Sequence, residues 1–163
     1  MGVHDFAVWL QASALGHFMR ESGPWTYAIV NLAHIFGLAS LFGAILILDL
    51  RLIGVWRRTP LAAIAEVAAP VAACGFALAA TTGAGLLATK ATEYVGNPFL
   101  YVKLPVVAAG FANAVILRRS AAWRALGRRE LSAGEHRQLA WMGGASLVCW
   151  LTAITAGRLI AYW

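Results

Sequence analysis

Between Ser22 and Leu48 no side chain carries a formal charge, His34 aside, and the same holds from Val67 to Thr89. A third such run, Pro98 to Leu117, is interrupted only by Lys103, and a fourth, Gln138 to Trp163, only by Arg158. A helix needs roughly 20 mainly apolar residues to cross about 30 Å of hydrocarbon, so each run is long enough to span. The hydrophobic set makes up 61% of the 163 residues and charged residues only 12%, where a soluble domain is about a quarter charged. A chain this short has no interior large enough to hide that surplus, which must face lipid. The expected fold is all-α: an integral membrane four-helix bundle forming a single domain, with spans at about 25–50, 67–90, 98–118 and 138–160. None of the runs reads as a cleavable signal, since more than twenty residues precede the first and no basic leader stands before it.

The net charge of +6 would suggest nucleic acid in a soluble protein, but the basic residues lie between the apolar runs rather than along one face. They read as topology signals, with no nucleic-acid partner. Arg51, Arg57 and Arg58 fall in the first link, and Arg118, Arg119, Arg124, Arg128, Arg129 and Arg137 in the third, nine of the 13 in all. By the positive-inside rule those links are cytoplasmic, which puts both termini outside, in the periplasm of a Gram-negative bacterium. Trp25, Tyr27, Tyr94, Tyr101, Tyr162 and Trp163 mark the outer interface, and Trp56 and Trp141 the inner one. The implied location is a bacterial inner membrane.

The segment before the first span differs in kind. Val3, Phe6, Ala7, Leu10, Ala14, His17 and Phe18 recur at helical spacing, with Asp5, Gln11 and Arg20 elsewhere on the wheel. This predicts one amphipathic helix over about residues 3–20, lying in the outer interface. Gly23-Pro24 should break the chain before the first span. Thr59 as N-cap with Pro60 in the first turn should open the second.

Ionisable groups inside a membrane are candidates for function. At about 1.5 Å per helical residue, His34 lies roughly 13 Å below the outer interface, and Lys103 and Arg158 each about 8 Å in. Thr81, Thr82, Thr152 and Thr155 reach the depth of His34, and Lys90 stands above it. A mid-depth imidazole below several cations suits a b-type haem: His34 as axial ligand, Lys103 and Arg158 on the propionates. Thr82, Gly83 and neighbouring small residues, with Gly37, would make room for the macrocycle. His17 could serve as a second axial ligand if its helix folds over the outer mouth. A quinone or an anionic substrate fits the same pattern less specifically. A structural account fits it as well, with His34 bonding a neighbouring helix and the cations snorkelling to the interface. Asp49-Leu50-Arg51 reads as a local charge pair that anchors the first span. Cys74 and Cys149 read as buried thiols, and neither they nor the three scattered methionines suggest a soft copper site. Signatures of soluble enzymes are absent.

These residues resemble a bacterial inner-membrane family of unknown function. The likeness runs through Arg20-Glu21-Ser22, Asn31-Leu32-Ala33-His34-Ile35-Phe36-Gly37, Asp49-Leu50-Arg51-Leu52-Ile53-Gly54, Gly75-Phe76, Thr82-Gly83 and Asn97-Pro98-Phe99 with Lys103. More distantly, a histidine in the first span, Thr-Gly in the second and a lysine entering the third are similar to two other groups. One is the membrane-integral protoporphyrinogen oxidase, which binds haem b; the other is the copper-resistance D-type membrane domain. The oxidase resemblance implies His34 as haem ligand and Lys103 as the catalytic lysine. Phe99-Leu100-Tyr101-Val102 departs from the oxidase's tryptophan-histidine motif, so the likeness supports haem more than that particular reaction. The expectation is a haem b protein with an electron-transfer or oxidase role, working with a quinone or redox protein, with a homo-oligomer as a further candidate assembly. The rival readings are a copper-handling protein and a non-catalytic membrane subunit.

Overall fold

The computed structural model describes residues 2–163, which are all-α, with no strand among them. Seven α-helices follow in order: α1 (Val3–Gln11), α2 (Ala14–Glu21), α3 (Pro24–Ile53), α4 (Leu61–Thr89), α5 (Pro98–Arg119), α6 (Ala121–Arg124) and α7 (Ala133–Leu159). Short 3-10 turns cover Ala91–Tyr94 and Ile160–Tyr162. The helices α3, α4, α5 and α7 are each long and apolar enough to cross a membrane, with mean hydropathy of 2.0, 1.9, 1.8 and 1.5 over their most apolar windows. Trp25 (79% exposed) and Tyr162 (70%) stand out near the ends of their spans, as interfacial aromatics do, and Trp141 (75%) is exposed further along α7.

The chain divides into two compact units. The first takes the chain up to Leu41 together with Ala73–Asn97, so it holds α1, α2 and one half each of α3 and α4. Here the expected single amphipathic helix is two. The Ser13 hydroxyl donates to the Leu10 carbonyl at 2.6 Å and accepts from the Gly16 amide at 3.3 Å, ending one helix and capping the next. A serine that bonds the backbone locally competes with helix continuation. Gly16 then lets α2 approach the Ala88 carbonyl of α4, where a methyl group would fall 3.1 Å away. The Gln11 side-chain oxygen accepts from both the amide (3.0 Å) and the hydroxyl (2.8 Å) of Thr92. Gly23 (φ +83°) makes the expected break, and Pro24 opens α3.

The closest backbone approach in this unit joins α3 and α4. A methyl group on Gly37 would fall 2.7 Å from the Ala79 nitrogen, and one on Gly75 would fall 2.5 Å from the Leu41 nitrogen. Small residues at a membrane helix interface permit this contact.

The second unit takes Phe42–Ala72 and Pro98–Trp163, so it holds the other halves of α3 and α4 with α5, α6 and α7. Its core is built from Ala44, Leu48 and Leu52 of α3, Leu61, Ala65 and Ala68 of α4, Leu117, Ala122 and Leu139. These recur every three or four residues, the stripe by which a helix packs. Gly110 lies against Trp150, and Gly143 against Leu52 and the Asp49 carbonyl.

Helix starts differ from expectation in two places. α4 begins at Leu61, with the Pro60 carbonyl taking the first helical bond from Ile64. Thr59 lies before the cap position, and its carbonyl accepts from Arg51 Nε at 2.8 Å. α7 begins at Ala133 rather than near 138, because Ser132 and Glu135 form a capping box that satisfies two orphan amides. Pro70 and Pro105 lie inside α4 and α5 without ending them.

Candidate functional site

In the first unit, His34 sits on α3 facing α4. Its Nδ1 donates to the Ala79 carbonyl at 2.9 Å and shares that proton with the Thr82 hydroxyl oxygen at 3.1 Å. A carbonyl only accepts, so Nδ1 carries the hydrogen, and in the neutral ring Nε2 carries the lone pair. The Thr82 hydroxyl donates in turn to the Leu78 carbonyl at 2.5 Å. Gly83 supplies space for the imidazole itself, because a methyl group there would lie 3.0 Å from His34 Cε1. Thr82 and Gly83 therefore hold and accommodate the ring, and Gly37 and Gly75 are filled by backbone. At Gly37 and Gly83, two of the positions expected to make room for a macrocycle, the space beside the glycine is taken by α4 backbone and by the imidazole. Helix–helix contact takes up the space that their missing side chains leave.

His17 lies on α2 with its side chain 55% exposed, and its Nδ1 meets the Glu21 carboxylate at 3.1 Å. The buried face of α2 is Gly16 and Met19, so His17 stands off the packing face on which periodicity had put it. Lys90 is paired with Glu93 at 3.2 Å, and the cation expected above His34 is answered by an acid in the adjoining turn. Burial, Tyr27 and Glu93 raise the Tyr94 hydroxyl above its ordinary pKa, with Lys90 opposing.

In the second unit, Lys103 extends along α7. A methyl group on Gly157 would lie 3.2 Å from its Nζ and 3.3 Å from its Cε. Arg158, the next residue, donates from Nη2 to the Tyr162 hydroxyl at 2.7 Å and stacks over that ring at 5.0 Å. Among the described residues neither cation meets a carboxylate. The structure thus gathers His34, Thr82 and Gly83 in one unit, and Lys103 and Arg158 at one turn of α7 in the other.

Asp49 was misread from sequence. It does not pair with Arg51, whose guanidinium bonds the carbonyls of Thr59 and Arg57. Residues two apart point to different sides of a helix. Asp49 is 2% exposed, has Ser146 as its hydrogen-bond partner, and its Oδ2 has none among the described residues. The signal was available: Asp49 follows Ile45 by four residues, on the stripe that buries Leu41, Ile45, Leu48 and Leu52. Cys74 is exposed and Cys149 half-buried rather than both buried, and each is a free thiol. Among the described residues no three His, Cys, Asp or Glu side chains are grouped to hold a metal ion.

No protein-family model matches the chain, no curated protein matches it, and no solved structure matches it.

Proposed function

We propose that this chain is a haem b-binding multi-pass protein of a bacterial inner membrane, with an electron-transfer or oxidase role. The observation that carries the reading is the Nδ1–H bond from His34 to the Ala79 carbonyl. It selects the tautomer whose Nε2 has the lone pair, and a backbone acceptor on the far nitrogen is the usual support of a metal-bound imidazole. The donor set fits haem better than copper, because haem iron takes a single protein imidazole, whereas a soft copper site calls for several donors converging. Lys103 and Arg158, which meet no carboxylate among the described residues, are the cations that this reading assigns to the anionic propionates. Lys103 is then a residue that touches the cofactor, which is the role the oxidase resemblance implies for it. A bound haem supplies one-electron chemistry; the chain's residues ligate it and balance its charge, and a quinone or redox protein would be the partner.

Full-length protein purified in detergent from haem-replete cells should show a Soret band and, after reduction, the α and β bands of a b-type haem. A colourless preparation would refute the reading. Lys103→Ala should leave the spectrum recognisable while weakening haem retention. A charge-assisted contact of about 1.5–3 kcal/mol corresponds to a loss of roughly ten- to a hundredfold in affinity. Haem titration of the apoprotein measures this. Retention at the wild-type level would remove Lys103 from the site.

The orientation follows from the nine arginines in alternate links. Reporters fused at Ala133 and after Trp163 should report opposite compartments, cytoplasmic for the first and periplasmic for the second. The same compartment for both would overturn the proposed frame.

A further inference from the structure

In the second unit a cleft of about 630 Å³ opens between the first turns of α4 and the segment that runs from the end of α5 through α6. Its size is within the range of ligand sites, about 300–1,000 Å³. Arg118, Arg124 and Arg128 line it together with one acid, Glu66. All three arginines are exposed, and among the described residues none donates a side-chain hydrogen bond or joins an ion pair. One residue further on, Arg129 is held by Glu135 through two bonds of 2.9 and 2.6 Å. This loop therefore pairs an arginine where it builds structure, and leaves three guanidinium groups open where they face the cleft. Against one carboxylate they leave two uncompensated positive charges.

The rest of the lining is largely apolar. Ala62, Ala65, Ala69, Trp123 and Leu126 line the cleft. The cleft lies where α4 begins and α5 ends, the level at which a spanning helix meets the headgroup region. Guanidinium groups together with an apolar alanine and tryptophan wall match a phosphate joined to a glycerol backbone. Arginine forks bind phosphate oxygens in pairs, and basic pockets between spanning helices are suited to lipid headgroups.

We infer that this cleft binds the headgroup of an anionic phospholipid. The guanidinium groups of Arg118, Arg124 and Arg128 hold the phosphate, and the alanine and tryptophan wall receives the glycerol end of the chains. The site is independent of any haem, since it involves neither His34 nor Lys103.

Native mass spectrometry of the full-length protein tests this, with phosphatidylglycerol, phosphatidylcholine of the same chains, or inorganic phosphate added to the detergent. Phosphatidylglycerol should be retained at least about tenfold better than phosphatidylcholine. Each basic side chain near an anionic lipid contributes about fivefold in affinity, so Arg124→Gln with Arg128→Gln should lower retention on the order of twentyfold. Arg119→Gln, outside the cleft, should retain lipid as the wild type does. Should the double variant fail to fold, the wild type still decides: raising salt should release phosphatidylglycerol, because rim charges are screened, and leave phosphatidylcholine unchanged. Equal retention of the two lipids, full retention by a folded double variant, or a salt-insensitive preference would overturn the proposal. Displacement of the lipid by equimolar inorganic phosphate would also overturn it, as the cleft would then be a site for the free ion.

Discussion

His34→Ala should yield protein with no Soret band, in a membrane fraction where the wild type should be coloured. An axial bond is made or not made, so its loss abolishes retention rather than shifting an affinity by a few kcal/mol. The comparison needs equal helical content in the two proteins, measured by circular dichroism, since His34 also ties α3 to α4 through Ala79 and Thr82. His34→Gly with free imidazole added separates the two roles. If the ring acts as a ligand, imidazole should restore the spectrum; a role confined to the helix contact would leave the protein colourless. Full haem retention in His34→Ala would make the histidine structural and remove the basis of the proposed function.

Gly75→Val is expected to be the most damaging substitution to the fold of the first unit. Its Cβ would fall 2.5 Å from the Leu41 nitrogen and 2.9 Å from the Gly37 carbonyl oxygen, and backbone cannot rotate aside as a flexible side chain can. Overpacking a tight interior costs typically 1–3 kcal/mol and sometimes more; a contact between two backbones belongs at about 3 kcal/mol or above. Gly43→Ala and Gly144→Ala are the controls, because nothing lies within 4 Å of an added Cβ at either position. They should be neutral or gain up to about 1 kcal/mol, as glycine is a poor residue for a helix interior. Unfolding in mixed detergent and dodecyl sulfate, followed by circular dichroism, orders the three variants. A Gly75→Val protein as stable as the controls would mean that α3 and α4 do not meet at Gly37 and Gly75.

The same close contact explains why the site was only partly legible. Glycine in an apolar run signals that something approaches closely, and it does not say what. A macrocycle and a neighbouring helix leave the same mark in sequence; here the neighbouring helix takes the space at Gly37 and Gly75, and the His34 ring takes it at Gly83. Asp49 shows the converse. Its charge drew attention to Arg51, the nearest opposite charge in sequence, while its position four residues after Ile45 set it on the buried stripe beside Ser146. The late start assigned to α7 came from counting apolar residues, although Ser132 and Glu135 spelled a capping box that begins the helix at Ala133.

What the chain determined by itself is the set of properties that depend on composition along one dimension. Four runs of sufficient length and apolarity dictate four long helices, since in hydrocarbon a single segment can satisfy its own backbone only by forming one. Gly23-Pro24 dictates the break before α3 for an equally local reason. What only the tertiary structure decided is which polar atoms meet. The Ala79 carbonyl that sets the tautomer of His34 is 45 residues away, and Ser146 faces Asp49 from another helix. Those pairings depend on helix rotation and register, which are set by the summed contacts of small residues across an interface. No single helix contains that information.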